Sequence, residues 1–167
     1  SKKGKITHSD MSLTNVENFK NLKNLVNFIK KQSDTKIGLQ ISHSGRKGSA
    51  ELPWVKPNTS LKNRSWKTYS ASSIKKEFNW PYPKEMTQED INNIKSSFLK
   101  ASKYSKKIKL DCLELHMAHG YLLHQFFSPI SNKRTDVYGG SRQNRSRFLI
   151  EIAKIVRAHW PKNRILG

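Results

Sequence analysis

Residues Leu110–Pro129 read LDCLELHMAHGYLLHQFFSP. At the start of this stretch Leu113, Leu115 and Met117 alternate with Cys112, Glu114 and His116. A period of two marks a strand with one oily face and one polar face. The polar face ends in His116, and His119, Gly120 and Tyr121 follow closely. A second alternation lies upstream in KIGLQIS, Lys36–Ser42, where Ile37, Leu39 and Ile41 oppose Gly38, Gln40 and Ser42. After Pro161, RILG begins a third strand.

Amphipathic helices fill the spaces between these strands. One follows Thr14, with Glu17 completing a capping box and a stripe of Val16, Phe19, Leu22, Leu25, Val26 and Ile29. A second starts near Thr87 and carries Ile91, Ile94, Phe98, Ala101 and Ile108. A third starts near Ser141, carries Phe148, Ile152, Ile155 and Val156, and stops before Pro161. Helix and strand alternate, which predicts an α/β fold with parallel strands joined by crossover helices. Such folds place polar sites at the C-terminal ends of their strands, where Gln40 and His116 fall. The long segments after each strand, 43–86 and 118–140, lie at that same end. They are expected to be functional or to carry small elements of their own.

Composition excludes little. The 167 residues suffice for one domain, no run approaches a membrane span, and the basic start has no apolar stretch to make it a secretory signal. A first residue that is not Met is expected to mark a cut or processed edge. One cysteine, Cys112, allows no internal disulfide and suits a reducing compartment, so a cytoplasmic location is expected. Cys112 itself reads as packing. Thirty-two basic against twelve acidic residues give a net charge of +20, a field that attracts nucleic acid without a built site. The lysines are scattered rather than striped with aromatics, which favours a solvated basic surface. A small basic nucleic-acid-binding protein is the rival reading.

His116 and His119 could ligate a metal with His43 or His124 as third ligand. The pattern is not helical HExxH, and no carboxylate stands at ligand spacing. A strand-end histidine often just satisfies a loop carbonyl. Against that reading stands the cluster of Gln40, two imidazoles and a phenol, all able to donate hydrogen bonds near neutral pH. His43 and Arg46 are open to two readings, bracing their loop or neighbouring a bound ring. Glu114 needs a partner if buried, and Arg46 is the candidate. Arg134 and Asp136 are expected to fix the loop before YGGS; Trp54, Trp66 and Trp80 are open to two readings, a small loop core or the lining of a substrate entrance, of which the core is favoured.

GLQISHSGRK (38–47) and ELHMAHGYLLHQFFSPISNKRTDVYGGSRQNRSRFLIEI (114–152) resemble the Old Yellow Enzyme family, the FMN-dependent ene-reductases. HSGRKGSAELPW is most similar to the bacterial branch of xenobiotic reductases and NADPH dehydrogenases. GKIT and PKEMTQEDI extend the resemblance over nearly the whole chain. It implies a TIM (β/α)8 barrel with FMN at the C-terminal face, of which residues 1–167 form one partial domain, about strands 3 to 5. It implies hydride transfer from NADPH or NADH through FMN to the C=C bond of an activated alkene, a carbonyl or nitro compound. By position, Gln40 and His116 match flavin contacts, and His116 and His119 match the pair that binds the substrate oxygen. Tyr121 matches the tyrosine that protonates the α-carbon. No metal, membrane or specific nucleic acid is implied, and the parent is expected to be a homo-oligomer. Other flavin contacts are expected outside this chain, so the piece alone is expected to be inactive, with exposed strand edges prone to aggregation.

Overall fold

The computed structural model describes residues 2–13 and 15–167. The two alternating segments form strands β1 (Gly38–Ile41) and β4 (Cys112–Leu115), paired in parallel with Gln40 opposite Glu114. A third parallel strand, β5 (Ile165–Leu166), pairs with the other side of β4, giving the order β1-β4-β5. Parallel neighbours cannot be joined by a hairpin. Helix α2 (Gln88–Ile108) makes the first crossover and α4 (Arg142–His159) the second.

Local chemistry sets the helix ends. Thr87 accepts from Asp90 N, and Asp90 accepts in return from Thr87 N, closing a capping box at the start of α2. The helix ends at Lys109 in the left-handed conformation, φ 65°. Ser141 caps α4 by accepting from Asn144 N, and Pro161 follows its end. Helix α1 (Val16–Gln32) is capped by Asn15, which accepts from Asn18 N. Thr14, the cap expected from sequence, lies outside the described residues.

The oily strand face packs under α2 and α4. Ile91 and Ile108 of α2, Phe148 and Ile152 of α4 and Leu113 of β4 are at most 1% exposed. Each such side chain contributes about 1.5–3 kcal/mol relative to its exposed state. The opposite strand face is open: Gly38, Gln40, Ser42 and Glu114 are exposed. The stripe on α1 is only partly covered. Leu22 and Val26 are buried, while Val16 and Leu25 stay exposed, and α1 packs against α2.

The long segment after β1 carries strands β2 (Tyr69–Ser70) and β3 (Lys84–Glu85), a second, parallel pair. Trp80 is buried there, Trp66 is half-buried and Trp54 is 78% exposed, so the expected loop core holds for Trp80 and fails for Trp54. After β4 comes a short helix, α3 (Leu122–Phe127), that the sequence reading did not find. Arg134 locks these segments together. Its Nη1 donates to the carbonyls of Ala71 and Met86 at 3.0 and 2.7 Å, and its Nε and Nη2 clasp Asp136. The guanidinium beside it holds the Asp136 carboxyl below the usual range. Gly139 sits so close that a Cβ there would fall 2.0 Å from the Arg134 carbonyl oxygen.

Replacing Arg134 with Met leaves two inward-facing carbonyls without a donor. Charge-assisted bonds of this kind contribute about 1.5–3 kcal/mol. The Arg134→Met chain should unfold at lower urea, losing about 2–4 kcal/mol, while Lys133→Ala, on an exposed neighbour, should stay within about 0.5 kcal/mol.

Candidate active site

The polar faces of β1 and β4 end side by side. His116 N donates to Ile41 O at 3.0 Å, carrying the ladder one residue beyond the strands. Alternation then places Gln40, Glu114 and His116 on one face. Gln40 and Glu114 are exposed there, and His116 is 9% exposed. Beyond His116 the backbone turns sharply: His119 and Gly120 are both left-handed, at φ 53° and 70°. Glycine takes that conformation without penalty and a histidine does not, so the turn costs strain that its surroundings must offset.

Several contacts hold it. Lys47 Nζ donates to the His119 carbonyl at 2.6 Å, and Gly120 N donates to His124 Nδ1 at 2.8 Å. Leu122 N reaches back to the His43 carbonyl at 2.9 Å. The result brings the predicted side chains together. His116 and His119 face each other at 3.2 Å, Nε2 to Nδ1, and the Tyr121 ring stands edge-on to His116 with centroids 4.7 Å apart.

The backbone fixes the protons of the imidazole pair. Ala118 N donates to His116 Nδ1 at 3.3 Å, so that nitrogen accepts. In the neutral ring the proton is then on Nε2 and is given to His119 Nδ1, which leaves the His119 Nε2–H free to donate outward. Burial, with the Asp10 carboxylate adding to it, pushes the Tyr121 phenol up, so it is a proton donor at neutral pH.

The other candidates have different partners. His43 is buried, and its Nδ1 accepts from Gly45 N at 3.1 Å. His124 is taken up by Gly120 N. Neither is turned toward the His116–His119 pair as a third ligand, and among the described residues no group of three His, Cys, Asp or Glu could hold a metal. Arg46 does not meet Glu114. Its Nη1 donates to the carbonyls of Ile74 and Lys75 at 3.2 and 3.1 Å, while Glu114 stays exposed on the open face. The loop after β1 captures Arg46 before it can reach the sheet. Lys47 and Gln125, a buried residue of α3, support the site and were missed from sequence. Lys47 reaches His119 across 72 positions, and Gln125 joins nearby Gly120 to Ser44 and Arg46, 81 and 79 positions away, so no local pattern reveals them. A cavity of about 420 Å3 runs along the free edge of β1, lined by successive residues from Leu39 to His43. Among the described residues no helix is long and apolar enough to cross a membrane.

A three-stranded parallel α/β layer with two imidazoles, a phenol and an amide at its strand ends defines an enzyme-like class of site. The chain belongs to the NADH:flavin oxidoreductase / NADH oxidase family, whose model matches residues 1–166. It is 42% identical to an NADH:flavin oxidoreductase of Gibberella zeae, over 95% of this chain and 40% of that protein. It is 37% identical to an NADPH dehydrogenase of Clostridium acetobutylicum, over 96% of this chain and 43% of that one. Among solved structures, morphinone reductase in complex with tetrahydroNAD superposes with a TM-score of 0.78 at 23% identity, over 93% of this chain and 44% of that one. The Old Yellow Enzyme of Pichia sp. AKU4542 gives 0.75 at 28% identity, over 91% and 40%. The chain thus spans about two-fifths of the length of these relatives. The family's description names NADH and a flavin, and the Clostridium relative is named for NADPH.

Burial lowers the His43 pKa to about 3 from an ordinary 6.5. Between those values the unfolded chain binds a proton that the folded chain refuses. His43 therefore leaves stability intact above pH 6.5 and removes about 1.4 kcal/mol per pH unit below it, until about pH 3. Urea unfolding from pH 7 to pH 4 should show this slope, and His43→Gln should flatten it.

Proposed function

We propose that this chain forms about strands 3 to 5 of a TIM (β/α)8 barrel, as one partial domain over residues 1–167, in an FMN-dependent ene-reductase. The observation that carries the reading is the gathering of His116, His119 and Tyr121 beside Gln40 at one sheet end. The donor set fits a flavin. Gln40 stands on an open face beside the small Gly38, and a primary amide can both donate to and accept from the imide edge of such a ring. Gln40 and His116 would hold the ring. FMN bound there supplies the redox chemistry between NAD(P)H and the C=C bond of an α,β-unsaturated carbonyl or nitro compound.

The chain's own groups do the rest. His119 and His116 donate to the substrate oxygen as it gains charge, each contributing about 3 kcal/mol at the transition state. Tyr121, protonated at neutral pH, delivers its phenolic proton to the α-carbon. The parent enzyme is a cytoplasmic homo-oligomer acting on small molecules and holding no specific nucleic acid. The isolated chain carries part of the site and does not turn over an enone with NADPH.

An FMN fluorescence titration tests the reading on this chain. Saturable quenching should appear and persist at higher salt. The Gln40→Ala/His116→Ala variant should weaken it at least about tenfold, the equivalent of 1.4 kcal/mol. Quenching that is equal in the variant and disappears with salt would instead mark a basic surface collecting anions, and would sink the assignment.

A further inference from the structure

One buried amide joins the two loops of the site. Gln125, in α3, is 0% exposed. Its Oε1 accepts from Arg46 N at 3.2 Å. Its Nε2 donates to the carbonyls of Ser44 at 3.3 Å and Gly120 at 2.7 Å. Ser44 and Arg46 belong to the turn after β1, and Gly120 lies between His119 and Tyr121 in the turn after β4.

The fit is close and chemically specific. A Cβ on Gly45 would fall 2.2 to 2.6 Å from the Gln125 amide. The position requires one acceptor and two donors on a single planar group. A carboxylate lacks the donors, an ammonium lacks the acceptor, and an apolar side chain leaves the Arg46 N–H and the Gly120 carbonyl unsatisfied, while the Ser44 carbonyl keeps the N–H of Lys47 at 3.2 Å. The other supports of the turn reach different atoms. Lys47 holds the carbonyl of His119, and His124 holds the N–H of Gly120. The Gly120 carbonyl is held by Gln125.

We propose that Gln125 is the positioning residue of this site: by tying the Gly120 carbonyl to Ser44 and Arg46, its amide sets where His119 and Tyr121 stand relative to His116. This rests on the reading of those three side chains as the chemical groups. Gln125 itself touches no substrate.

The test reads geometry, so it needs no cofactor. Ring-nitrogen NMR of the full chain at pH 7.5 compares wild type with Gln125→Met and with Gln125→Glu, which keeps the size but loses both donors. The His116 and His119 ring signals should move in both variants as the bond between them loosens, while those of His8 and His159 stay in place. Unmoved His116 and His119 signals in a folded variant would overturn the proposal. So would equal movement of all the histidines, which marks a purely structural residue. Should neither variant fold, the wild-type chain decides. Its Gln125 side-chain protons should exchange with solvent at least about 100-fold more slowly than those of exposed Gln143, and equal rates would overturn the proposal. Flavin titration of the same samples can fail or succeed independently, which separates this inference from the proposed function.

Discussion

The parallel pairing of Gly38–Ile41 with Cys112–Leu115 constrains everything else in this chain. A parallel partner must be entered from the same end, so α2 carries the chain back before β4 begins. Repeating the step with α4 puts the end of every strand, and the turn after it, on one edge. Helix C-termini collect on the opposite edge, where Lys30 Nζ reaches the Lys109 carbonyl at 2.7 Å and Asp111 at 3.0 Å. The last turns carry Lys30 and Lys31, Lys106 and Lys107, and Arg157, where positive charge complements the helix dipole. Topology thus separates part of the basic surface from the imidazoles and the phenol.

More of the cationic excess serves inside the loops. Apart from the short β2–β3 pair and α3, the long segments after β1 and β4 are largely irregular, and buried carbonyls there need donors. Arg134 supplies them to Ala71 and Met86, Arg46 to Ile74 and Lys75, and Lys47 to His119. Amides do the same work: Asn132 Nδ2 donates to the carbonyls of Phe126 and Tyr138. Long donor side chains let irregular backbone pack against the sheet end. These residues read as scattered charge in sequence because the carbonyls they serve lie elsewhere in the chain.

Legibility in the sequence followed the range of the interaction. Period-two and helical patterns are local, so β1, β4, α2 and α4 could be read from Ile37–Ile41, Leu113–Leu115, Ile91–Phe98 and Phe148–Val156. The cluster of His116, His119 and Tyr121 was legible because one turn contains it. Helix α3 was not, since six residues are too few to show a period. Strands β2 and β3 have two residues each and exist through their pairing alone. Glu114 and Arg46 carry complementary charge, but the expected pair does not form because loop carbonyls take the guanidinium first. Gln125 and Lys47 act across 79 and 72 positions, a separation at which sequence spacing carries no geometric information.

The mutual bond between the imidazoles bears on what the site can discriminate. His116 Nε2–H is already given to His119 Nδ1, so an incoming oxygen can take it only by displacing that acceptor. Exchanging one neutral acceptor for another gains little, because a net hydrogen bond contributes only about 1 kcal/mol. The balance changes when the oxygen becomes charged, since a charge-assisted bond is about twice as strong as a neutral one. On the proposed reading, a ground-state carbonyl therefore meets one free donor, His119 Nε2–H, and a developing oxyanion recruits the second. On the same proposed reading, the resting bond would work for selectivity, withholding binding energy from the substrate and releasing it as charge appears. That differential is what lowers a barrier, where equal binding of both states would not. The left-handed turn at His119 and Gly120 holds the two rings at 3.2 Å and so sets the condition for this exchange.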